Sequence, residues 1–316
     1  MYYPYLRARQ NELIAVRDLS SEDNFKNYVT PVLEPINAKL NSLKLANTIF
    51  NENEFNPFLI VNPLAGEICG NIHFFLDFIQ GLEACSYKIA FHYTDNAEYI
   101  LDCIRKYALN DVMLICLLRY QDTQCLRDLC ENPAISHVMV LKPEDNMHLD
   151  SYLKNLNKTY IRLDDLFEKK DTNVLYLPIS AHRFSSKHLS FMNEGYDGFS
   201  DFTVLPSAYK KGGGTPTAVV IHFSYLNEKE NNEVWIRHFT SSTNVPKINV
   251  QGKFAEAAHK AMNFIDGQRL HNAAIAELQN NVLEQHYPGL GIVKKISIKN
   301  HLIIMSDFLE LNAMLF

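Results

Sequence analysis

No C-x-x-C pair occurs in this chain of 316 residues, although it carries six cysteines: Cys69, Cys85, Cys103, Cys116, Cys125 and Cys130. Zinc sites and secreted disulfide frameworks depend on close, patterned cysteines, so their absence argues against both and favours a reducing cytoplasm. Long apolar runs are missing too. VMLICLL (112–118) is among the longest, far short of the roughly 20 residues a membrane span needs. The opening MYYPYLRARQ lacks the basic-then-apolar pattern of a signal peptide, so the expectation is an intracellular protein with no membrane partner. Neither sign of charge dominates. Thirty Lys and Arg against 36 Asp and Glu give a net charge of -6, which removes any global attraction to nucleic acid or acidic lipid and leaves room only for a local basic patch. No GxGxxG or GxxxxGK[ST] follows the first strand, and no nucleophile elbow, HExxH or kinase motif set occurs anywhere. What is present is core material. With 47% hydrophobic and 21% charged residues, disorder and collagen are excluded and a large core is within reach.

That material is arranged as a repeating unit, a short apolar run followed by an amphipathic stretch. The expected strands are 2–7, 29–36, 58–63, 88–93, 112–118, 136–142, 159–165 and 201–206. Their starts are 27, 29, 30, 24, 24, 23 and 42 residues apart; all but the last interval is about one strand, two loops and a three-turn helix. The gaps read as helices. Leu13, Ile14, Val16 and Leu19 gather on one side of a helical wheel, and Ile72, Phe75, Leu76, Phe78, Ile79 and Leu82 form a broader apolar face. Thr94 or Asp95, Asp122, and Glu144 or Asp145 are the expected N-caps of the following helices.

Eight such units with strands buried on both faces predict an α/β fold, a (βα)8 TIM-like barrel; an open doubly wound sheet is the alternative. The long seventh gap is read as a βα loop with a short helix around 186–192 and an extra strand at NVLYLP (173–178). After the glycine turn at Gly212, Gly213 and Gly214, the segments 217–226 and 234–241 predict a β-hairpin. Helices at 253–265 and 270–286 follow, one of them completing the barrel, and then a tail expected to hold a short strand and helix. The predicted organisation is one domain over 1–316, with barrel strands in 1–209 and the hairpin and closing helices in 210–316.

In this architecture, chemistry collects at the carboxyl ends of the strands. Those ends read Arg7, Glu34, Asn62, His92, Arg119, Lys142 and Asp164 or Asp165. Alternation supports an inward ring, with Tyr5, Val32, Ile60, Ala90, Leu117 and Val140 two residues behind the first six; on the seventh strand Asp165, behind which lie Leu163 and Ile161, competes with Asp164. Glu34, held before Pro35, suits a base, a metal ligand or a structural pair with Arg7. His92 has the pKa class for proton transfer near neutrality. Glu34, His92 and Asp164 are therefore the candidate catalytic residues. Arg7, Asn62, Arg119, Lys142 and Gly212 to Gly214, with Lys210 and Lys211 just before the glycines, are candidates for holding a phosphate. Asp164 and Asp165 with Glu34 are a weaker candidate for a divalent cation, and His182 and Arg183 could reach the site from the seventh loop. No cofactor is specified.

The opening YYPYLRARQNELIAVRDL, VLEP (32–35), VNP (61–63), and GGGTPTAVVIHFSYL followed by WIRHFTS resemble the "beta protein" family of bacteria and phages over nearly the whole chain. The resemblance implies no established catalytic residues. It does imply a two-component, antiviral module in which this chain stands beside a nuclease-like protein. RARQ departs from the RGRQ associated with that family, putting close backbone contact with a ligand at Ala8 in doubt. Two functions are expected from this. One is an enzyme or sensor binding a phosphate-bearing metabolite, nucleotide or nucleic-acid end at the barrel mouth. The other is a non-catalytic partner subunit whose hairpin and terminal helices bind another protein or a second copy.

Overall fold

The computed structural model describes residues 1–316 except 71, 118–119, 213–215, 245–247 and 315–316. The chain divides into two compact units: Met1–Leu13, Ser20–Asp165 and Lys187–Phe202 form the first, and Ile14–Leu19, Leu166–Ser186 and Thr203–Phe316 the second.

The first unit is a (βα)8 TIM-like barrel. Its strands are β1 (Tyr5–Leu6), β2 (Val32–Leu33), β3 (Phe58–Ile60), β4 (Lys88–His92), β5 (Val112–Cys116), β6 (Ile135–Leu141) and β7 (Thr159–Asp164). The next strand, β8 (Ala181–Ser185), belongs to the second unit, and β9 (Gly198–Asp201) is the barrel's eighth. Neighbours pair in parallel in the order β1-β2-β3-β4-β5-β6-β7-β9. A parallel bridge between Tyr2 and Phe199 brings the two ends of the sheet together. There Gly198 is required by close approach, because a Cβ would stand 2.6 Å from the Tyr3 ring. The eighth strand thus lies three residues earlier than the expected 201–206. Tyr160 N donates to Asp197 Oδ2 at 2.8 Å and Asp197 N to Tyr160 O at 2.9 Å, which sets the pairing before the more apolar run begins.

Barrel helices include α1 (Gln10–Leu19), α2 (Asp23–Tyr28), α3 (Asn41–Glu52), α4 (Ile72–Gln80), α5 (Ala97–Lys106), α6 (Gln124–Glu131), α7 (Met147–Lys154) and the one-turn α8 (Lys187–Ser190). The division between units falls within α1. Helix starts fall one residue beyond the expected caps: Asn96 precedes α5, Thr123 caps α6 by accepting from Leu126 N at 3.3 Å, and Asn146 caps α7 by accepting from Leu149 N at 3.2 Å. Asp122 is instead taken by Arg127, which holds it with two short hydrogen bonds.

Tyr3, Tyr5, Val32, Phe58, Ile60, Ala90, Met113, Ile115, Met139, Ile161, Leu163 and Phe202 fill the barrel interior, with Leu117 and Leu141 packed against them. Alternation holds on five of the strands as expected and fails on β6, where Met139 and Leu141 point inward rather than Val140. The cause is a register shift: Val112 pairs Ile135, but Met113 pairs His137. One extra residue on β6 exchanges its two faces.

In the second unit, β10 (Val220–Asn227) and β11 (Glu233–Thr240) form the expected hairpin, and β8 adds to the other edge of β11 in antiparallel fashion. NVLYLP is not a strand; Asn173–Tyr176 is a single 3₁₀ turn. Helices α9 (Val250–Gln268), α10 (Ala273–Leu283) and α11 (Leu290–Ala313) cover this sheet: α9 packs on β10 and β11, α11 on β10, and α10 on both other helices. The expected strand and helix in the tail are one 24-residue helix. Its β-branched residues are buried on several sides, so tertiary packing overrides their strand preference. Among the described residues no helix is long and apolar enough to cross a membrane.

Candidate functional site

The carboxyl ends of β1 to β4 bring four of the predicted site residues together. Because Val32, Ile60 and Ala90 point inward, Glu34, Asn62 and His92 follow on the same side two residues later, and Arg7 does so behind Tyr5. Glu34 is fully buried and forms an ion pair with Arg7, whose side chain is 16% exposed. The turn before Pro35 holds the carboxylate where Leu64 N donates to Oε1 at 2.8 Å, while Tyr5 Oη donates to Oε2 at 2.8 Å.

Tyr5 also lies 2.9 Å from His92 Nε2. His92 is fully buried, and its ring Nδ1 stands 3.2 Å from the Asn62 carbonyl oxygen. Asn62 and His92 are joined further by a reciprocal pair: Asn62 Nδ2 donates to His92 O, and His92 N donates to Asn62 Oδ1, both at 2.8 Å. The Asn62 side chain thus continues the β3–β4 ladder one step past the strand, and that exchange fixes which end of its amide is oxygen. Burial pushes the His92 pKa down to about 3, with the hydrogen bond to Asn62 opposing and the Arg7 charge adding to the shift. The imidazole is neutral near pH 7, a hydrogen-bond acceptor at one nitrogen and not a cation.

Tyr5 is the member that sequence reasoning missed. Alternation makes it interior filling behind Arg7, yet its hydroxyl joins Glu34 on one strand to His92 on another. Its position on the same strand face as Arg7 was the available signal. Glu12, in the first turn of α1, is a second omission. It is 4% exposed, and burial raises its pKa against the pull of Arg9, Arg7 and their backbone amides; its Oε2 has no hydrogen-bond partner among the described residues.

Of the remaining predicted residues, Lys142 and Asp164 do not join this group. Arg119, Gly213 and Gly214 lie outside the described residues. Gly212 has φ +77° and belongs to the second unit. Lys142 is exposed, in the left-handed region at φ +46°, and falls on the outward parity of β6. Asp164 also has outward parity: Arg162, 2% exposed, holds it through Nε and Nη2 at 2.8 Å each and pairs further with Glu194 and Glu144. Asp165, exposed at the end of β7, continues the inward side of Ile161 and Leu163. Among the described residues no group of three His, Cys, Asp or Glu side chains is placed to hold a metal ion.

His182 belongs with His222 and His238 in the second unit, not with the barrel residues. His222 and His238 face each other across the hairpin with Nδ1 atoms 2.7 Å apart, and His238 Nε2 lies 3.0 Å from His182 Nδ1. His238 spends its two nitrogens in opposite directions, so this row cannot converge on one ion.

The fold and site define a (βα)8 protein with a buried acid–base network at the carboxyl end of its first four strands. Compared with protein-family models, with curated proteins and with solved structures, the chain matches none.

Proposed function

We propose that the barrel mouth binds a small phosphate-bearing ligand (a nucleotide, a metabolite or a nucleic-acid end), with Arg7 as its cationic contact and Glu34 and His92 as acid–base groups. One observation carries this reading. Four polar residues from adjacent strands converge and interlock at the carboxyl end, whereas on three of the other four strands the corresponding positions are the apolar Leu117, Leu141 and Phe202, and on β7 it is the exposed Asp165. A barrel end filled with hydrophobic side chains would be at least as stable, because desolvating an ion pair usually cancels its attraction. Clusters of perturbed titratable groups at this end of a barrel favour a ligand site over a structural one.

Untargeted mass spectrometry of small molecules retained by the purified protein tests this without a guess at the substrate. A phosphate-bearing compound retained by the wild type and lost from Arg7→Ala is the expected result. In the competing reading, the chain is a non-catalytic subunit beside a nuclease-like protein in a two-component antiphage module. No retained compound, together with co-purification of such a nuclease, would overturn the ligand reading in favour of that one.

A further inference from the structure

The hydrogen bonds around Tyr5 do not close on their protons. A carbonyl oxygen can only accept, so the 3.2 Å contact from Asn62 O puts the imidazole proton on His92 Nδ1 and leaves Nε2 as a lone pair. Tyr5 then brings one hydroxyl proton to two acceptors, Glu34 Oε2 and His92 Nε2. Three contacts share two protons. Tyr5 is 1% exposed and the other two residues are fully buried, so bulk water does not make up the deficit and one contact stays unfilled at a cost. His92 does not supply the third proton, since burial and the Arg7 charge hold it neutral. Arg7, meanwhile, is the least buried member and has two carboxyl neighbours, Glu34 and Glu12.

We propose that the mouth takes up an anion and one proton together. The anion replaces Glu34 at the Arg7 guanidinium, and Glu34 Oε2 takes the proton and donates it to Tyr5 Oη, whose own proton turns to His92 Nε2. This rests on the anion-binding reading above. Protons balance: Arg7 keeps its cation, the proton taken up neutralises the Glu34 carboxylate that the anion replaces at the guanidinium, and three contacts now share three protons. Tyr5 holds one proton before and after, and no tyrosinate forms, in keeping with the upward shift that burial gives its phenol. The titratable and charged groups facing Glu34 are Arg7 and Tyr5 from the first strand segment and, through Tyr5, His92 from β4; Glu12 and Arg9 stand beside Arg7 at the start of α1.

Sulfate is the probe, because it does not titrate near neutrality. Calorimetry on the full chain, in two buffers with different heats of ionisation, should show about one proton taken up per sulfate bound and an affinity that falls about tenfold for each unit of rising pH. Glu34→Gln puts a neutral amide where the protonated carboxyl would stand; it should bind sulfate without proton uptake and without pH dependence. In ¹⁵N NMR, sulfate should move the His92 Nε2 resonance upfield as that nitrogen accepts a hydrogen bond from Tyr5. Tyr5→Phe should lose the NMR shift and keep the proton uptake. Sulfate bound by the wild type at a pH-independent affinity, with no proton taken up, overturns the coupling and leaves the anion site standing, as does binding by Glu34→Gln alone. Binding by neither protein overturns both. Should Glu34→Gln not fold, the two-buffer measurement on the wild type decides by itself.

Discussion

Acidification should loosen the barrel through His92 in a way that a single substitution can isolate. The folded imidazole is held down to about 3 from an ordinary 6.5. Below pH 6.5 the unfolded chain therefore binds a proton that the folded chain refuses, and stability present above 6.5 is lost as pH falls toward 3. At about 1.4 kcal/mol per pH unit, going from neutrality to pH 5 removes about 2 kcal/mol on account of this one residue. His137, lowered to about 4 by burial, and the histidines of the second unit also titrate in this window, so the raw acid response exceeds this figure. His92→Gln separates the terms. It lowers stability at pH 7 but should show an acid loss about 2 kcal/mol smaller than the wild type's over the same interval, because the other histidines cancel between the two proteins. Trp235, the only tryptophan, lies in the second unit, so its fluorescence is the wrong probe. Amide hydrogen exchange of the peptide carrying β4, corrected for the intrinsic effect of pH, reads the barrel directly. Equal pH dependence in wild type and variant would show that His92 is not held neutral by its surroundings, and the reasoning about its environment would fall.

Two further outcomes follow from local geometry. Ala8, in the turn after β1, sits at φ +48°, where a Cβ costs about 1–2 kcal/mol and glycine nothing; Ala8→Gly should raise the urea midpoint by the equivalent of about 1 kcal/mol, and an unchanged or lowered midpoint would refute the strain. Arg162→Met should cost about 3–5 kcal/mol by leaving Asp164 buried without its partner, and adding Asp164→Asn should restore part of that loss in the same denaturation assay. Full additivity of the two changes would contradict the pairing.

Period and spacing were enough for the barrel, because a strand buried on both faces and a helix with one apolar face leave signals within a few residues of sequence. The same alternation placed Glu34, Asn62 and His92 inward on β2, β3 and β4. It failed where a signal depended on a neighbour. The extra residue of β6 opposite Val112 is a property of pairing, and it turned Lys142 away from the mouth. The eighth strand begins at Gly198, where the chain must pass against the Tyr3 ring nearly two hundred positions earlier.

By itself, then, the sequence determined the strand-helix rhythm, the barrel and the set of polar residues at its carboxyl end, since each follows from chemistry repeated along the chain. Only the tertiary structure decided which of those residues act together. Asp164 is committed to Arg162 by a guanidinium buried beside it, and His182 to His238 on the neighbouring strand of its own sheet. Tyr5 is drawn into the site by acceptors 29 and 87 residues away. Hydrogen bonds act over about 3 Å in space whatever the separation along the chain, so their partners become known only when the strands lie side by side.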